Sequence, residues 1–252
     1  MSVMMQPGKT GFQCVNQPEI MLSGIHKVVL LGDPGCTSFS DDSKKVLDQI
    51  LRQEADLFFV LGDLAFTDSI EELREIIDFC NARVKVPIFA TRGNHELSSY
   101  PKLLGLSSYA LILDQHVCFF LCNATGRFLQ SDLNLLRNQL ETAQNKKFIV
   151  LMHIPPPGNV PRESLKSEEW KKLKAVLDPH REKIQHLFCG HMHGFHTYEI
   201  DGYPVTITAG GGAAMIHEVL PPAQKLHHSI ALSLYPDGSL SREVIPVVAG
   251  TV

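Results

Sequence analysis

Five short apolar runs in this sequence end on residues that titrate or bind metal ions. VVLLG is followed by Asp33, FFVLG by Asp63, IFATRG by Asn94 and His95, FIVLM by His153, and HLFCG by His191 and His193. One aspartate after a strand has an ordinary structural explanation, as a cap for the next helix. Five strand ends carrying Asp, Asn and His together call for another. Strand ends are where open α/β sheets gather ligands. Acids and imidazoles crowded there without partners would cost several kcal/mol each, and cations remove that cost. Carboxylate, amide and imidazole donors suit Mn²⁺, Fe or Zn²⁺ better than Ca²⁺.

The elements that must position these residues are legible in the periodicity. HKVVLLG, DLFFVLG and VPIFATRG predict three strands separated by two helices. Ser40 caps the first helix, whose Val46, Leu47, Ile50 and Leu51 share a face. Ser69 and Glu72 spell a capping box for the second, with Leu73, Ile76, Ile77 and Cys80 on one side. SYALILD and HVCFFLCN flank Asp114-Gln115 as a hairpin. A helix from about Ser131 buries Leu133, Leu136 and Leu140, the strand KKFIVLMH follows, and another helix runs from Ser167 to Leu177. IQHLFCGH is a strand, and TYEIDGYPVTITAG and SIALSLYPDGSLSREVIPV are strand–turn–strand units. The first half thus reads βαβαβ and the last quarter antiparallel β, which predicts an α/β domain of two packed sheets. Residues 1–24 are polar and unpatterned and read as a loosely ordered arm; residues 25–252 read as a single domain.

Composition narrows the function. A net charge of −4 leaves no basic footprint for long nucleic acids. Gly8-Lys9-Thr10 is not a phosphate loop, because Val3 stands where that motif needs glycine and no strand precedes it. The six cysteines (Cys14, Cys36, Cys80, Cys118, Cys122 and Cys189) form no CxxC pair and sit mostly in apolar runs, as reduced, buried thiols do. The first residues lack the continuous apolar stretch of a secretory signal. No apolar run approaches the roughly 20 residues that span a bilayer. These features predict a cytoplasmic protein with no membrane association.

Read in order, GD ending at Asp63, GNHE from Gly93 to Glu96, a lone His153 after a strand, and GHMH from Gly190 to His193 resemble the calcineurin-like metallophosphoesterases. The resemblance spans about Lys27 to Gly212. It implies a four-layer αββα sandwich of two mixed sheets flanked by helices, holding two divalent ions. It also implies a role for each residue. Asp63 would bridge the ions, and Asn94, His153 and His191 would complete one set of ligands. Asp33 and His193 would bind the other ion, and His95 would stand beside the substrate as general acid. Two ions sharing a hydroxide can drive in-line displacement at the phosphorus of a small phosphomonoester or phosphodiester, with His95 protonating the departing alkoxide.

The sequence departs from the family pattern in two places. Gly35 stands where the first motif carries a histidine, leaving the first ion three protein ligands. Cys36 is a substitute donor or simply a small turn residue. Phe66 stands where the family often has the aspartate that orients the general acid; Asp68 either replaces it or serves the start of the next helix. Arg92 and Arg127 are the candidates for binding phosphate oxygens. His196, His227 and His228 read as surface or edge residues. Substrate selectivity falls to the loops Glu96 to Ser107, Asn123 to Gln130 and Pro155 to Glu163. The alternative to an enzyme is a protein-binding scaffold that keeps the fold without catalysis, as the family's retromer-subunit branch illustrates.

Overall fold

The computed structural model describes residues 3–4, 10–35, 39–158, 164–215 and 225–247. Fourteen strands among them form two sheets. The larger is ordered β1 (Val3–Met4), β3 (Glu19–Met21), β7 (Tyr109–Ile112), β8 (His116–Phe120), β9 (Lys147–Met152), β10 (Ile184–Cys189), β12 (Tyr203–Thr208), β11 (Phe195–Ile200). The smaller is ordered β14 (Leu240–Pro246), β13 (His228–Leu234), β4 (Lys27–Leu31), β5 (Leu57–Leu61), β6 (Pro87–Thr91), β2 (Gly11–Phe12). Both are mixed sheets: β4–β5–β6 and β8–β9–β10–β12 run parallel, while the β7–β8, β11–β12, β13–β14 and β13–β4 pairs are antiparallel.

The period-2 rule explains why the central strands are apolar throughout: each of their faces is covered. Leu30, Phe59, Leu61 and Phe89 from the smaller sheet meet Phe120, Ile149, Leu151 and Phe188 from the larger to form the inner core. The alternate residues point outward. Val29, Leu31, Phe58 and Val60 pack under α1 (Asp41–Leu51) and α2 (Ile70–Asn81). Phe119, Phe148, Val150 and Leu187 pack under α4 (Gln130–Thr142) and α5 (Ser167–Leu177), while the four-residue α3 (Tyr100–Leu103) closes the loop after β6. The result is the expected αββα sandwich. Each fully buried Leu, Ile or Phe contributes about 1.5–3 kcal/mol to holding the layers together.

Helix starts follow the sequence closely. Ser40 accepts from Ser43 N–H, and Ser69 accepts from Glu71 and Glu72 N–H. The capping box of α2 is modified, however: Glu72 reaches back to Thr67 N–H at 2.9 Å.

The arm differs from the expectation. Residues 10–24 are part of the fold: β2 pairs with β6, β3 pairs with β7, and Val15 N–H donates to Leu104 O at 2.9 Å. Val15 and Ile20 are buried. Strands of two or three residues are too short to show periodicity, so the segment looked unpatterned. The described cysteines are all free thiols, and burial pushes those of Cys80, Cys118 and Cys189 upward in pKa. No helix among the described residues is long and apolar enough to cross a membrane.

Candidate metal centre

The parallel registers of β4, β5 and β6, and of β9 and β10, bring their C-terminal ends level. The loops that leave these ends are tied to one another within each sheet and, through His191 and Asp33, between the two sheets. Asp33 N–H donates to Gly62 O (3.1 Å), Gly190 N–H to His153 O (3.0 Å), and His191 N–H to both Asp33 oxygens (3.0 and 2.9 Å). Two groups of donor atoms result, each with its atoms within 4.8 Å of one another: Asp63, His153 and His191, and Asp33, Asp63 and His193. Asp63 belongs to both. Asn94 joins the first group, its Oδ1 lying 2.8 Å from His153 Nε2. All six residues singled out as ligands from the sequence are therefore gathered at one place.

The backbone is strained where it delivers them. Among the described residues, six other than glycine have left-handed φ, and four of these are Asp33 (58°), Asp63 (52°), His191 (75°) and His193 (28°). Such conformations cost of order 1–3 kcal/mol each and persist where surroundings over-determine them. Gly93 is required by crowding in the same place, since a Cβ there would lie 2.1 Å from Asp63 Oδ1.

The electrostatics leave a deficit that cations fit. Asp33, Asp63 and Glu96 are buried carboxylates. Burial, with Asp63's charge nearby, holds the Asp33 carboxyl well above its ordinary range and Glu96 up at about 7. Burial opposes the charged form of His153, but Asp63 at 3.3 Å and Asp33 outweigh it and pull the imidazole up to about 10. His191 is driven down to about 3 by burial and by His153, and burial lowers His193 as well. Without cations the pocket thus disfavours its charged carboxylates and pushes His191 and His193 towards the neutral form that can donate a lone pair. Second contacts orient the rings: His153 Nδ1–H donates to Leu61 O (2.7 Å) and His193 Nδ1–H to Ala214 O (2.8 Å), turning each Nε2 inward.

His95 stands at the edge of this cluster, its Nε2 3.9 Å from Asp63 Oδ2. Its Nδ1–H donates to the Phe66 backbone carbonyl at 2.6 Å, and its ring stacks on the Phe66 ring at 5.9 Å between centroids. A main-chain carbonyl therefore does the orienting for which a side-chain carboxylate was sought. Asp68 fills neither role considered for it. It accepts from Ser98 N–H (2.9 and 2.8 Å) and Ser99 N–H (2.8 Å), which fastens the loop after His95; these bonds hold its carboxyl far below the usual range. Arg92 braces the same loop, donating to Leu97 O at 3.0 Å.

Gly35 is more than a missing ligand. A Cβ on it would meet the Leu64 carbonyl oxygen at 1.9 Å, and Gly35 N–H donates to Asp63 O at 3.1 Å. The backbone after Asp63 occupies the room a side chain would need. Cys36 lies outside the described residues. Beside His191 opens a cleft of about 620 Å³ whose walls include Arg127, Lys166 and Lys172. Lys172 is engaged by Glu169 at 2.6 Å. His228, read as a surface or edge residue, is instead fully buried, packed edge-on against Phe195 with its N–H donating to Gly210 O at 3.1 Å.

Two contributors were not singled out from the sequence. Glu96 accepts from Gly93 N–H at 2.7 Å and so shapes the GNHE turn. Asn123 accepts from the N–H groups of His153 (3.1 Å) and Ile154 (3.0 Å) and donates to Ile154 O (2.7 Å), pinning the loop that carries His153. Asn123 had a signal, since it too is a polar residue ending an apolar run, HVCFFLC.

Known structures share this architecture. The purple acid phosphatase PPD1 from yellow lupin (Lupinus luteus) seeds superposes with a TM-score of 0.70 at 15% identity, covering 88% of this chain and 52% of the lupin chain. This chain thus spans about half the length of that relative. A dimetal phosphatase from Danio rerio gives a TM-score of 0.64 at 11% identity over 88% of this chain and 96% of its own. GAP50, the anchor in the inner membrane complex of Plasmodium, gives 0.66 at 11% identity over 88% and 84%. Among curated proteins no sequence matches. Such identities speak for the fold alone. The sequence profile of calcineurin-like phosphoesterases, however, matches residues 26–195, well over half the chain, and with it the chain belongs to the calcineurin-like phosphoesterase family.

Proposed function

We propose that this protein is a metal-dependent phosphoesterase acting on a small phosphomonoester or phosphodiester, with Asp63 shared between two divalent ions. The observation that carries this reading is the strained set of Asp33, Asp63, His191 and His193, three of them buried and His191 partly so: four left-handed residues converging on one point. A fold gains nothing in stability from that arrangement without cations. Asp63, Asn94, His153 and His191 would hold one ion, and Asp33, Asp63 and His193 the other, as Mn²⁺, Fe or Zn²⁺. When bound, such ions supply an activated water and neutralise charge on the phosphoryl oxygens.

The chain's own residues do the rest. With Nδ1–H committed to Phe66 O, His95 has Nε2 left to hand a proton to the leaving oxygen. Arg127, in the cleft beside His191, is suited to pair with anionic oxygens of the substrate. We assign the protein to the cytoplasm on its free thiols. The test is hydrolysis of an aryl phosphate and a bis-aryl phosphate with added Mn²⁺, Fe²⁺ or Zn²⁺. Metal-stimulated cleavage supports the reading, and a folded sample inert with every ion contradicts it.

One observation favours a non-catalytic scaffold: the first ion's missing ligand has had its space closed by Leu64. The scaffold reading predicts a folded chain that binds no metal.

A further inference from the structure

Phe66 is placed unusually for a large apolar side chain. The residue is 49% exposed, yet it borders the metal centre, stacked on His95 with an interplanar angle of 24°. The stacking covers one side of the ring and leaves the rest to the solvent. Leu97, also exposed, rises from the neighbouring loop, which Asp68 ties to the Phe66 segment through Ser98 and Ser99 N–H. An exposed aromatic ring is not needed to orient His95, because the hydrogen bond that does so comes from the Phe66 backbone.

We propose that the Phe66 ring is a specificity-determining shelf for the leaving group, selecting phosphate esters of flat, apolar alcohols such as aryl groups over short alkyl esters. This deepens the phosphoesterase reading and rests on it. As the ester P–O bond breaks, the leaving oxygen takes the proton from His95 Nε2, and the oxygen of water replaces it on phosphorus. The leaving oxygen must therefore come within hydrogen-bond reach of His95, roughly 2.6–3.2 Å. Whatever group that oxygen carries then passes over the ring stacked against His95. An aryl group gains offset-stacked contact there, whereas a methyl group gains almost none.

Binding separates this from an effect on His95. Phenylphosphonate and methylphosphonate present the same anionic head and no scissile ester, and each is titrated calorimetrically into the Mn²⁺-loaded full chain. Phenylphosphonate should bind on the order of threefold to tenfold more tightly. In Phe66→Ala the preference should collapse towards unity with methylphosphonate affinity unchanged, and Phe66→Trp should restore it. Equal affinities in the unsubstituted protein overturn the shelf while leaving the phosphoesterase reading intact. So does a parallel loss of both affinities in Phe66→Ala, which would make the ring a structural prop. If neither phosphonate binds the metal-loaded chain, the phosphoesterase reading itself fails and takes the shelf with it.

Discussion

Restoring the family's missing histidine should damage this protein. Any Cβ at position 35 lies 1.9 Å from Leu64 O, so that carbonyl must retreat by about 1 Å before the contact becomes tolerable. Leu64 cannot move alone. It follows Asp63, whose carbonyl accepts from Gly35 N–H and whose side chain belongs to both donor groups. Overpacking of this kind costs about 1–3 kcal/mol, which in a chain of 252 residues lowers the melting temperature by roughly 2–12 °C. Gly35→Ala isolates the steric term and Gly35→His adds the imidazole. Thermal unfolding without metal should show both variants destabilised by similar amounts, and calorimetric Mn²⁺ titration should show both ions bound more weakly. Gly35→His with an unchanged melting temperature and a tighter first ion would refute the reasoning, because it would mean that the Leu64 backbone yields without penalty.

The remaining predictions concern His95 and His186. Replacing His95 by Ala should lower turnover of a substrate with a poor leaving group by about 10²–10⁴-fold while metal content, measured by elemental analysis, stays constant; loss of metal with little loss of turnover would contradict the general-acid role. His186 is buried, and burial together with the Arg242 charge, whose guanidinium lies 2.8 Å from Nε2, pushes it down to about 3 from an ordinary 6.5. Because the folded value is the lower one, its stabilisation is complete above pH 6.5 and is lost as pH falls towards 3. The slope approaches about 1.4 kcal/mol per pH unit. His186→Gln should therefore lose less stability than the parent between pH 6.5 and 4 in denaturant titrations, and parallel curves would contradict this.

Much of the fold could be read in advance because its central strands and helices are long enough to show their periods. KVVLL, LFFVL and KFIVLM are buried on both faces and appear as unbroken apolar runs, while α1 and α2 announce themselves with Ser40 and Ser69. The candidate ligands were legible for the same reason, since each follows such a run. Contacts made by backbone were not. Phe66 orients His95 through a carbonyl that every residue possesses, so the side chain at that position pointed away from the answer. The closure over Gly35 depends on the path of Leu64, and Asp68 reaches amides thirty residues further on. His228 was misplaced because its burial is set by Phe195 and the Gly210 backbone, contacts that local pattern does not contain.

The central claim is that two ions share Asp63, with the first held by fewer ligands than the second. Metal-free protein reconstituted with graded Mn²⁺, freed of excess ion and divided between elemental analysis and an aryl phosphate assay, tests it most directly. Two ions per chain are expected at saturation, one bound tightly and one weakly, with turnover rising as the weaker site fills and both lost in Asp63→Asn. A chain that binds no ion, or that reaches full turnover with one, would contradict it.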